Sequence, residues 1–204
     1  MPNRYGQFYG YTGLFPILEE VRSESHTDEL RGILAALPNG AGSLFARTGL
    51  VHAARLFVID DVIYNGAPSL EEHLAYSYLA LSMTMDGDVA ALGNRLSEVG
   101  GEEFGTVFSH CYGYKQAGSI PEYLNRCQIE TTFLYVDLEK INLEATLRAL
   151  AVQRLVPDMI ERAQGLGVAA RKAIVREFAS RLSTQRSPEL GTMREARPDM
   201  DPQS

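Results

Sequence analysis

The residues best suited to chemistry are an arginine, a histidine and a set of tyrosines. Arg55 sits within Val-His-Ala-Ala-Arg-Leu-Phe-Val-Ile-Asp-Asp, residues 51–61. The run is rich in β-branched and aromatic residues and ends in two aspartates, which predicts a strand. Alternation then places Ala53, Arg55, Phe57 and Ile59 on one face and His52, Ala54, Leu56 and Val58 on the other. A guanidinium among apolar groups needs a partner. Either a ligand carboxylate or enolate supplies it, or a local acid such as Asp61 or Asp86 does. His110 lies in Phe-Ser-His-Cys-Tyr. An imidazole there could serve as a general base or a haem axial ligand, although a histidine among aromatics is most often a packed one. Tyr78, Tyr112 and Tyr135 offer hydroxyls to a bound molecule, against the common role of aromatic strand residues as packing. Ser82 and Thr84 share a face with Tyr78, and Phe133 shares one with Tyr135.

Other groups carry less. His52 reads as structural, and His26 and His73 as exposed. Asp86 and Asp88 lack the later oxygen ligands of a calcium loop, and helix capping by Asp88 is the simpler role. No GxGxxG follows a strand. Cys111 and Cys127 are not a CxxC pair. They are expected to be reduced thiols, with a bridge between them as the alternative.

The elements that must position these residues follow in chain order. Residues 1–24 interleave Tyr5, Phe8, Tyr9, Tyr11 and Phe15 with Gly6, Gly10 and Gly13, which predicts a non-helical arm across the domain, or a ligand lid. Residues 25–37 read as a helix capped by Ser25 or Thr27, and 41–50 as a loop or short extended piece. Residues 60–75 are a connection with turn signals at Asn65-Gly66 and Pro68-Ser69, where Ser69 could cap a short helix. Residues 78–85 alternate most cleanly, with Leu79, Leu81, Met83 and Met85 against Tyr78, Ala80, Ser82 and Thr84. A helix over 88–99 is expected to stop at Gly100-Gly101. A third strand is expected over 105–114, a short helix with Pro121 in its first turn over 120–128, and a fourth strand over 131–138. Asn142 caps a helix to about Val156, Pro157 opens a new region, and a last helix spans 168–182, where Glu177 can pair with Arg181.

The 204 residues fit one ordinary domain with extensions, and 45% apolar content allows a packed core. The divisions expected are an arm and helix over 1–43, an α+β domain over 44–156, a helical extension over 157–182, and a disordered tail over 183–204. A formal charge of −7 argues against nucleic acid and anionic membrane surfaces as partners. No apolar run approaches the roughly 20 residues a spanning helix needs. Residues 1–15 lack the basic-then-apolar order of a secretory leader, so a cytoplasmic protein is expected.

Four strands and long amphipathic helices in mixed order predict an α+β sandwich with helices on one sheet face. Leu79, Leu81, Met83 and Met85, with Leu134, Val136 and Leu138, should meet the helices. The other face would hold Arg55, Phe57, Tyr78, Ala80, Ser82, Thr84, Phe133 and Tyr135, a set too aromatic for water and suited to a second sheet. This pattern resembles the dimeric α+β-barrel proteins over about residues 44–156. In that superfamily two ferredoxin-like four-stranded antiparallel sheets, one per subunit, face each other around a cavity. His-Ala-Ala-Arg-Leu-Phe-Val-Ile-Asp, followed by Met-Asp-Gly-Asp and Phe-Ser-His-Cys-Tyr-Gly-Tyr, is also similar to stretches of bacterial α+β proteins that accompany haem peroxidases. The resemblance implies a homodimer holding an apolar fatty-acyl, polyene or polyketide-like molecule against Arg55, Phe57, Tyr78, Ser82, Thr84, His110, Tyr112, Phe133 and Tyr135, with no cofactor. A cofactor-independent oxygenase or cyclase using His110 and Arg55, or a haem-dependent peroxidase-like protein, are the alternatives it implies.

Overall fold

The structure is a computed structural model that describes residues 3–18, 25–61, 73–136 and 141–184. The turn signals at 65–69, Asp137 and Leu138, and most of the expected tail lie outside the described residues. The chain divides into two units, Met1–Lys140 and Ile141–Ser204.

The first unit is α+β, built on an antiparallel sheet. Its strands are β1 (Arg4–Tyr5), β2 (Phe8–Pro16), β3 (Val51–Ile59), β4 (Tyr78–Asp86) and β5 (Gln128–Ile129). Strand β2 is central. One edge pairs with β4, which pairs in turn with β3, and the other edge pairs with β1 and then β5. The helices are α1 (His26–Ala36), α2 (Leu44–Thr48), α3 (Val89–Phe108) and α4 (Ile120–Arg126). The succession β2-α1-β3-β4-α3-β5, with strand order β5-β2-β4-β3, is compatible with a ferredoxin-like fold.

Two expected strands, β3 and β4, are present, and two are not. The aromatic arm is instead the central strand. Its glycines serve close approach: a Cβ on Gly10 would stand 2.9 Å from Leu134 Cδ1. Tyr11, Gly13 and Phe15 pair with Met83, Leu81 and Leu79 and share their face. Residues 105–108 belong to α3, which runs through Gly100 with a kink at φ −173°, ψ 38° instead of ending there. Phe104 and Phe108, four residues apart, stack at 4.0 Å and bury one helical stripe with Val107. Residues 131–136 form no strand, and Leu134 lies over Gly10, away from the helices. The 41–50 stretch holds a 3-10 turn (Gly40–Gly42) and α2.

The core lies between the sheet and its helices. Leu79, Leu81 and Met85 are fully buried against Leu30 of α1, Leu92, Leu96 and Phe104 of α3, and Tyr123 and Leu124 of α4. Caps fix these helices: Ser25, Asp88 and Ser119 accept from the amides of Asp28, Ala91 and Glu122. Helix α4 packs so closely on α3 that a Cβ on Gly93 would meet Pro121 Cγ at 2.6 Å and its Cα at 2.8 Å.

The second unit contains α5 (Leu143–Ala163), capped by Asn142, and α6 (Val168–Thr184). Helix α5 continues through Pro157, where a new region was expected, and so forgoes one helical hydrogen bond. Glu177 pairs with Arg162 at 2.9 Å, joining α6 to α5. No helix among the described residues is long and apolar enough to cross a membrane.

Candidate functional site

The sheet face away from the helices carries five of the residues singled out above. Arg55 pairs across the sheet with Ser82, Phe57 with Ala80, Ala53 with Thr84, and Ile59 with Tyr78. Ser82, Thr84 and Tyr78 are half-buried, Ala80 is buried, and Arg55 is exposed beside Phe57, which is 46% exposed. The acids weighed as partners for Arg55 are engaged elsewhere. Asp86 meets the His52 ring at 2.8 Å and Asp61 meets that of His73 at 2.6 Å. Among the described residues Arg55 has no ion-pair partner.

His52 departs from its expected face. A bulge between Val51 and Ala53 turns its ring against Phe8, with centroids 4.8 Å apart, and toward Asp86, whose strand partner is Phe8. It therefore sits on the Arg55 side, opposite to Ala54, Leu56 and Val58.

His110 and Tyr112 leave the sheet face altogether. They follow α3 in a segment bridged to the end of β2, with the His110 carbonyl accepting from Leu18 N–H and the Pro16 carbonyl accepting from Tyr112 N–H, both at 2.8 Å. Tyr112 stacks edge-on with Tyr76. Phe133 and Tyr135 follow β5 with 79% and 66% exposure.

The same end of the sheet holds a cluster that was not foreseen. His26 is the first residue of α1, and Glu29 lies one turn on, three residues later and on the same side. His26 Nδ1 stands 3.1 Å from His110 Nδ1, and Glu29 Oε2 stands 3.6 Å from that same nitrogen. His26 is half-buried, not exposed, and the His110 side chain is 14% exposed. Burial pushes the His110 pKa down, assisted by His26 and Lys115, while Glu29 pulls it up. A cleft of about 230 Å³ opens beside these elements, lined by Leu18, Thr27, Asp60, Tyr76 and Ser77 among others.

No family model, curated protein or solved structure matches the chain. Function is therefore read from these two places alone. The sequence signal that could have found the second was the single helical turn from His26 to Glu29. Its third member lies 84 residues away, at a distance no periodicity reports.

Proposed function

We propose that two copies of this chain pair through the Arg55-bearing sheet face, close an α+β barrel, and hold an apolar small molecule between the sheets. The observation that carries this reading is Arg55 itself, a cation without an ion-pair partner among the described residues, set on a face with the half-exposed Phe57. A sheet face of this mixed character calls for a cover. A fatty-acyl, polyene or polyketide-like chain would lie along Phe57, Ala80 and Tyr78. Its carboxylate or enolate end would take the guanidinium, and Ser82 and Thr84 would supply hydroxyls beside it.

Native mass spectrometry of the purified chain tests the reading. A dimer carrying extra mass, released on denaturation as an acidic apolar molecule, is expected. Arg55→Ala should keep the dimer and lose the molecule. A bare monomer at micromolar concentration overturns the barrel, and an Arg55→Ala dimer that retains the same mass overturns the anchor.

A further inference from the structure

We infer that His26, Glu29 and His110 form a binding site for one divalent first-row transition metal ion, with Zn²⁺ as the reference case. The site stands apart from the sheet face and does not rest on the reading proposed for it.

Three electron-pair donors converge here, and a single proton cannot satisfy all of them. His110 Nδ1 faces both His26 Nδ1 at 3.1 Å and Glu29 Oε2 at 3.6 Å. One imidazole hydrogen between the rings would leave the carboxylate to solvent, and two would clash. A cation among the three atoms is met by all of them at once. Chosen ligand atoms of the three residues lie within 4.8 Å of one another. With metal–nitrogen bonds of about 2.0–2.1 Å, adjacent ligand nitrogens stand about 2.9–3.4 Å apart, from octahedral to tetrahedral geometry. The imidazole pair already has that spacing. The carboxylate sits slightly outside it on an exposed side chain that can adjust.

The donor set narrows the ion. Two imidazoles and one carboxylate suit zinc, cobalt, nickel or ferrous iron better than calcium or magnesium, which favour oxygen. Three protein ligands leave coordination positions open for water or a ligand atom. Entry is available on the Glu29 side, where that side chain is 56% exposed. The ligands are held by fixed backbone. The Ser25 cap sets the start of α1, and the His110 carbonyl is tied to Leu18 N–H.

The test uses untagged full-length protein, freed of metal and titrated with Co²⁺ and then Zn²⁺, following visible d–d absorption and heat. One Co²⁺ per chain, displaced by Zn²⁺, is expected. His26→Ala and His110→Ala should each weaken binding beyond the roughly 10–100-fold that loss of an outer-sphere partner causes. Because the half-buried His110 also packs, each variant is first checked for cooperative melting. Glu29→Ala alters an exposed side chain without threatening the fold and, because it removes a ligand, should weaken binding by about 100-fold or more. His52→Ala removes an imidazole at the opposite end of the sheet, about 26 Å away along β4, and should leave affinity unchanged. No Co²⁺ or Zn²⁺ binding by the folded protein overturns the site. So does affinity unaltered in Glu29→Ala and both histidine variants, which would put the metal elsewhere on the chain.

Discussion

The two faces of the sheet are built from the same strands and obey different rules. On β4, Leu79, Leu81, Met83 and Met85 point into the helices and are at most 4% exposed. Tyr78, Ser82 and Thr84 alternate with them onto the other face and are half-buried, and across β3 from them Arg55 and Phe57 reach solvent. The helix-covered face gains its energy from excluding water. It therefore tolerates neither a void nor a charge. The opposite face keeps a cation, hydroxyls and an aromatic ring half-buried or exposed, a mixture that a core forbids.

The largest expected contrast is in alkali. The covered side holds buried acids that must keep their protons, Cys111, Tyr11 and Tyr123 most deeply. Burial pushes the Cys111 thiol up from 9.0 to about 12, with Cys127 adding to the rise. Burial likewise raises the Tyr11 and Tyr123 hydroxyls, which donate to the carbonyls of Leu124 and Tyr112. In the unfolded chain the thiol ionises from about pH 9, while the folded chain holds its proton to about pH 12. The folded state thus binds more protons across that window, and stability falls as pH rises. Cys111 alone accounts for a loss on the order of 4 kcal/mol by pH 12, and the tyrosines add to it above pH 10. Urea midpoints should drop steeply from pH 9 to 11, and less so in Cys111→Ala. A flat profile to pH 11 would show that the covered side is wetter than its packing implies.

Leu81→Ala comes next. Leu81 is fully buried, and truncation there should cost about 2–5 kcal/mol. Ser82→Ala, one residue on and facing the other way, should change stability by less than about 1 kcal/mol. The pair is measured by urea denaturation at constant slope. Equal losses would mean that both faces are core.

This contrast was legible in the sequence where period-two alternation ran unbroken. The 78–85 stretch gave β4 and both of its faces, and 51–59 gave β3, with the bulge at His52 as the single misplacement. Alternation misled where another period produced it. Phe104, Val107 and Phe108 lie at helical spacing and form one buried stripe of α3, and the chain then turns, yet Phe108, His110, Tyr112 and Tyr114 read as one strand face. The central strand was hidden for the opposite reason. Gly10 and Gly13 weaken strand propensity, and only the Leu134, Tyr11 and Phe15 side chains crowding them explain their presence. The α+β class survived these errors because β2 and β5 supplied the strands that 105–114 and 131–136 did not. The histidine cluster was beyond reach, since it joins the start of α1 to the turn after α3.

The smallest effect separates a wet face from an interface. Phe57 is 46% exposed, so Phe57→Ser should change the stability of the isolated chain by no more than about 0.5 kcal/mol. If the Arg55 face joins two copies, the same ring is an aromatic anchor. Its loss should then weaken self-association by more than about 1 kcal/mol, or roughly 5-fold in Kd at 1.4 kcal/mol per decade. Sedimentation equilibrium reads the second quantity and urea denaturation of the dilute protein reads the first. A small change in stability together with a large change in Kd is the signature of a face that folds without its partner yet works with it. A change in neither would return Phe57 to the ordinary apolar surface of a monomer, and leave Arg55 with solvent alone.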